Sequence, residues 1–207
     1  QSATVFGMDY TYQNNLSKQL NINGYETRGN TNHEFRFRLN FTRAWSITNN
    51  TVFGIKQNNS EFLISRNYTL QYYDIEQKLN YQPNTTFKLS LSYNYNAKQN
   101  IMKEGFQKAE INNFGFEFKF NQLEKGSLTG KINVIQITYN DNENTAIAYE
   151  MLNALKTGNN YTWNFSYQHN LNKNIQITIN YDGRKSSNSK IINIGGATGE
   201  FADVFEY

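Results

Sequence analysis

His33 and His169 are the only two imidazoles in the chain, and there is no cysteine. Thiol nucleophiles, thiolate zinc sites, iron–sulfur clusters and disulfides are therefore excluded, and proton transfer near neutral pH falls to these two rings or to carboxylates. Hydrolytic chemistry needs a His with Ser and Asn or Asp in reach, and Ser166, His169 and Asn164 are the local grouping of that kind. Its spacing works against it. In an extended segment Ser166 and Asn164 share one side while His169 falls with Phe165 and Tyr167 on the other, so the three converge only across a bulge. Asp141-Asn142-Glu143-Asn144 gathers oxygen donors but lacks the glycine and distal glutamate of a calcium loop, and reads as a solvated loop tip. The Asn-x-Ser/Thr triplets, at Asn40, Asn49 and Asn164 among others, follow from the asparagine content and carry no glycosylation signal. No catalytic residue, metal or cofactor is assigned, and an enzyme is not expected.

The remaining chemistry is charge at alternate positions. Glu34, Arg36 and Arg38 form one such set, Glu117 and Lys119 another, with Lys88, Lys131, Asp182 and Arg184 on further segments. These residues are candidates for lining a wet interior, either as a selective pore or as a closed ion-pair network that fills it. The mixed signs neutralise one another instead of building a field of one sign, which favours the closed network.

The elements that must carry these charges are strands. In Asn113 to Asn121, Phe114, Phe116, Phe118 and Phe120 occupy one face and the polar residues the other, the period-two pattern of a strand. His33 to Arg43, Thr86 to Asn96, Tyr161 to Gln168 and Ile175 to Tyr181 repeat it. Weaker examples are Phe6 to Tyr12, Leu20 to Tyr25, Thr51 to Lys56, Tyr68 to Tyr81 and Leu128 to Tyr139. In the last of these the adjacent Val134 and Ile135 imply a bulge that switches faces. Tight turns are expected at Asn14 to Ser17, Gln82 to Asn84, Leu123 to Gly126 and Asn172-Lys173, and longer connections at Thr27 to Thr31, Ala97 to Lys108 and Asp141 to Asn160. The pattern predicts a single all-β domain over 1–207, an up-and-down antiparallel transmembrane β-barrel of roughly 10 to 12 strands.

One stretch departs from period two. Thr145 to Leu155 places Ile147, Met151 and Leu155 at helical spacing with Gly158 beyond, which predicts a short amphipathic helix acting as a plug or a partner-binding element.

Composition agrees with a membrane setting for strands. Hydrophobic residues make up only 38% and mean hydropathy is −0.75, too little aliphatic material for an ordinary core, while 15% aromatic residues are too many for a disordered chain. Roughly one residue in six is asparagine, which disfavours long helices. No run approaches the ~18 apolar residues of a spanning helix. Rings crowd toward the ends of the strand patterns, at Trp45, Tyr81, Tyr93, Tyr95, Tyr139, Tyr161, Trp163 and Tyr181, as in the aromatic girdles of membrane barrels. The net charge of +3 is dispersed and implies no nucleic-acid partner.

The segment Gly158 to Ser186, GNNYTWNFSYQHNLNKNIQITINYDGRKS, resembles the terminal hairpin of outer-membrane β-barrel proteins of Bacteroidota, of flavobacterial type. Tyr207, with Phe205 and Phe201 at even spacing, is similar to the aromatic end of such barrels, although 197–206 is more acidic. The resemblance implies the outer membrane of a Gram-negative bacterium, with contacts to lipid, lipopolysaccharide and other outer-membrane or periplasmic proteins. Such barrels stand alone, form the C-terminal part of a longer chain, or belong to assemblies for transport or secretion. Gln1 is accordingly either a residue left by signal cleavage or a fragment start. The function expected is a structural or accessory role in a larger envelope complex, with a small channel for polar solutes and an outer-membrane enzyme as alternatives.

Overall fold

The computed structural model describes residues 5–22, 24–102, 105–122, 125–172 and 175–186. These form a single nine-stranded antiparallel sheet in sequence order: β1 Phe6–Asn21, β2 Gly24–Asn40, β3 Trp45–Ser60, β4 Tyr68–Tyr81, β5 Phe87–Asn100, β6 Lys108–Gln122, β7 Gly126–Tyr139, β8 Gly158–Asn170 and β9 Gln176–Ser186. Sequence neighbours pair antiparallel throughout, and among the described residues β1 and β9 are the edges, running in the same direction. The helical elements are a 3₁₀ turn, Ile64–Arg66, and a short helix α1, Ala146–Met151. No helix among the described residues is long and apolar enough to cross a membrane.

The connections differ in length at the two ends of the sheet. At one end the strands are joined across 41–44, 82–86, 123–125 and 171–175; at the other the connection 22–23 is short and 61–67, 101–107 and 140–157 are longer.

Several local expectations are corrected by the pairing. Asn14 to Ser17 is no turn, because β1 runs through it with Asn14 opposite Thr31 and Asn15 opposite Asn30. Thr27 to Thr31 is likewise interior to β2. The polar side chains that read as turn formers bond across the strands instead, Thr31 Oγ1 donating to Asn14 Oδ1 at 3.1 Å. The bulge at Val134 and Ile135 is absent: Val134 faces Phe114 and Ile135 faces Asn113 in continuous register. Nine strands stand among the described residues against the roughly 10 to 12 anticipated. The turn positions Leu123, Glu124 and Lys173, the residue Gln1, the stretch 197–206 and the terminal Tyr207 lie outside the described residues.

Cross-strand pairing sorts side chains onto two faces. One row runs Phe6, Leu39, Ile47, Leu79, Leu91, Phe116, Ile132 and Trp163, apolar from β1 to β8. The adjacent row on the opposite face runs Arg38, Thr48, Lys78, Ser92, Gly115, Asn133 and Thr162. On the polar face one cavity of about 550 Å³ is lined from Asn30 on β2 to Asn113 on β6, with Glu150 and Asn153 beside it.

The buried apolar cluster sits on the polar side, beneath α1. Ala148, Met151 and Leu152 pack there against Leu70, Ala109, Ile111, Ile135 and Ile137, with Ile147 and Leu155 at the margin. This explains the adjacent Val134 and Ile135: one belongs to the apolar outer face, the other to the seat of the helix. The helix is shorter than Thr145 to Leu155. Thr145 caps it by accepting from the Ala148 N–H at 3.0 Å, and Asn153 and Ala154, both left-handed (φ 55° and 60°), end it before Gly158.

Candidate functional site

All nine charged candidates share the polar face. Glu34, Arg36 and Arg38 lie on β2, Lys88 on β5, Glu117 and Lys119 on β6, Lys131 on β7, and Asp182 and Arg184 on β9. They do not form one continuous network. Glu34 pairs with Arg36 along β2 at 2.7 Å, whereas Glu117 reaches Lys78 on β4 at 3.2 Å and has Lys131 as its register partner. Lys88 and Lys119 face each other as like charges. Asp182 accepts from the Asn164 amide, and Arg184 is the register partner of Thr162.

Residues the sequence reading passed over complete the site. Asp74, Glu76 and Lys78 alternate with Ile75, Gln77 and Leu79, a weaker signal than that of β6 because Gln77 interrupts the apolar side. Asp74 accepts from the Asn94 and Asn96 amides at 2.5 and 2.7 Å. Lys56 pairs with Glu150 of α1 at 2.5 Å, and Lys98 donates to the Glu150 carbonyl at 3.1 Å and to Asn153 Oδ1 at 2.6 Å. Two lysines from the sheet thus hold the helix over one end of the polar cavity. No local pattern could announce these contacts, which join positions far apart in the chain.

Of the plug or partner-binding candidates, Met151 is fully buried in the intramolecular cluster and Ile147 and Leu155 pack at its margin. On the far side of the helix Tyr149 is exposed.

The aromatic candidates divide. Trp45 and Tyr81 pack in a tilted pair at the short-turn end with ring centroids 4.5 Å apart, and Tyr181 falls in the same cross-strand row. Tyr93 and Tyr161 share a row four residues further along, Tyr93 packing on Phe114 at 4.7 Å, and Tyr95 and Trp163 occupy the rows on either side of it. Tyr139 does not join them: it stands on the polar face opposite Ala109, against the helix seat.

Trp163 lies over Gly183, its register partner, so closely that a Cβ at 183 would overlap the indole, and Phe118 covers Gly130 in the same way. Such pairs use glycine as a recess for a ring. Gly183→Val is expected to destabilise the fold by about 1–3 kcal/mol through overpacking. In a Trp45→Phe background the emission of Trp163 should shift as the ring is displaced, and an unchanged spectrum would contradict this packing.

Ser166 and His169 lie on opposite faces. Ser166 donates to Asn180 Oδ1 at 2.7 Å on the polar side, while His169 stacks on Tyr167 with centroids 6.0 Å apart on the apolar side. Among the described residues no three carboxylates or histidines are gathered as a metal site.

The apolar face is the unusual surface. Large side chains on it, including Met8, Tyr10, Phe53, Leu91, Phe114, Phe120, Ile132 and Ile179, are exposed. Its only Lys, Arg, Asp or Glu residues among those described are Lys18, Lys108, Glu110 and Lys185, all toward the long-connection end. Soluble monomers rarely expose an apolar surface of this extent. Over the described residues the fold is an up-and-down antiparallel sheet, not closed, with one apolar and one polar, charge-bearing face. Comparison with known protein families, with curated proteins and with solved structures finds no match.

Proposed function

We propose that the chain is an outer-membrane β-barrel of a Gram-negative bacterium with a structural or accessory role in a larger envelope complex serving transport or secretion. The apolar face carries this reading. Its charge-free part extends from the short-turn end over about nine residues of each strand, some 30 Å along the strand and roughly 20–25 Å at a tilt of ~40°, the height of a barrel's lipid-facing band. The polar face then lines the interior, and the long connections project beyond the membrane. Because β1 and β9 run the same way, an all-antiparallel closure takes an odd number of further strands, and one is the smallest addition.

The test is export of the full chain, fused to an outer-membrane signal, in a Gram-negative host. Sedimentation with the outer membrane, with heat-modifiable electrophoretic mobility, is the expected result; a monomer recovered from the soluble periplasm would overturn the reading. Cross-linking in that membrane to other envelope proteins tests the accessory role.

A small channel for polar solutes is the second reading, favoured by the cavity between β2 and β6. Against it stand α1, held by Lys56 and Lys98 over one end, and the paired charges below. Current through the protein in a planar bilayer is accordingly expected to be absent or very small. A large, stable conductance would favour the channel.

A further inference from the structure

A second cavity, of about 850 Å³, opens at the long-connection end between the polar side of β1–β3 and the outer flank of α1. It is separate in character from the cavity beneath the helix. Its charges neutralise each other in pairs, Arg28 with Glu26 at 3.0 Å and Lys56 with Glu150 at 2.5 Å. Between the pairs the lining carries amides and tyrosines: Asn15, Asn30 and Asn58 from three adjacent strands, with Tyr68 of β4 and Tyr149 of α1.

Asn58 is the anchor of this surface. The residue is only 7% exposed, its Nδ2 donates to the Arg66 carbonyl at 3.0 Å, and its Oδ1 is buried with no protein partner. A buried amide oxygen left without a donor favours a ligand hydroxyl that reaches it by displacing the groups that now cover it. Tyr149 stands at the rim, 69% exposed on a helix whose other side is locked into the core. Its ring is available for stacking at little ordering cost.

We infer that this cavity binds a neutral polyhydroxylated ligand, a short oligosaccharide of roughly three rings by volume. The chemistry points there for three reasons. Amide side chains offer adjacent donors and acceptors, which match vicinal hydroxyls. A tyrosine face packs against the C–H side of a pyranose while its hydroxyl stays polar. The cancelled charges leave little attraction for ionic ligands; Arg66 is the lining cation outside the two pairs, and an acidic sugar is for that reason the competing ligand.

The inference does not depend on the membrane reading, and its test is separable from it. The purified, folded full chain in detergent is titrated with maltotriose, cellotriose and chitotriose, binding being followed by calorimetry and saturation-transfer NMR. At least one trisaccharide is expected to bind with Kd at or below ~1 mM. Affinity should be unchanged between about 0.1 and 0.5 M salt, because no net charge is being paired. Tyr149→Ala and Asn58→Leu should each weaken it about tenfold, and Ser166→Ala, at the far end of the polar face, should not change it. Tyr149 contributes nothing to the core, so its variant remains informative if Asn58→Leu misfolds. The inference fails if no trisaccharide binds, if binding is indifferent to Tyr149→Ala, or if binding is lost at the higher salt, which would indicate an anionic ligand.

Discussion

Phe116→Arg is expected to destabilise the folded protein in lipid by about 2–4 kcal/mol, whereas Glu117→Ala, one residue away, should cost about 1 kcal/mol or less. Phe116 lies mid-strand on the apolar face between Leu91 and Ile132, where in the proposed membrane setting an arginine would have neither water nor a counter-ion. Glu117 points the other way, and its pair with Lys78 has both side chains about one third exposed, so solvent screens most of what the pair contributes. Urea titration of the protein folded into lipid vesicles reads both values. Equal costs would mean that the two faces have been assigned wrongly.

Met151→Ala carries the second large effect, a loss of about 2–5 kcal/mol from truncating a fully buried side chain. Met151 fills the space between α1 and Leu70, Ile111 and Ile137, which otherwise stand on a face of amides and charges. Tyr149→Ala, on the same helix but outside the cluster, should change stability by no more than about 0.5 kcal/mol. Equilibrium unfolding of the two variants in parallel distinguishes a helix that seals the sheet from one resting on it. If Met151→Ala is as mild as Tyr149→Ala, the helix does not seal the sheet. Replacing residues 143–155 by a Gly-Ser linker should likewise lower stability, by uncovering Leu70, Ile111 and Ile137, while the strand register persists.

The contrast between these two sites reflects what is written locally. Side chains of an extended strand alternate between its faces whatever the rest of the chain does. The spacing of Phe114, Phe116, Phe118 and Phe120 against Glu117 and Lys119 therefore settled their facing in advance, and so did the spacing of Glu34, Arg36 and Arg38. The presence of a helix near Met151 was legible for a similar reason, since helical spacing and the Thr145 cap are local.

Pairing and burial are not local, and there the tertiary structure decided. Asn14 to Ser17 has the composition of a turn, yet β2 offers each of these residues a partner and the strand continues to Asn21. Tyr139 has the composition of a girdle residue, yet the register turns it toward the helix. Ile135 and Ile137 sit on a polar face because a helix entering from the next connection covers them, a fact absent from their own neighbourhood in the sequence. The bond between Lys56 and Glu150 spans 94 positions. The sequence by itself determined which side of each strand is apolar, because alternation is a property of backbone geometry. Only the fold decided where strands end, which polar groups meet and what the helix covers, because those depend on partners brought together by the sheet.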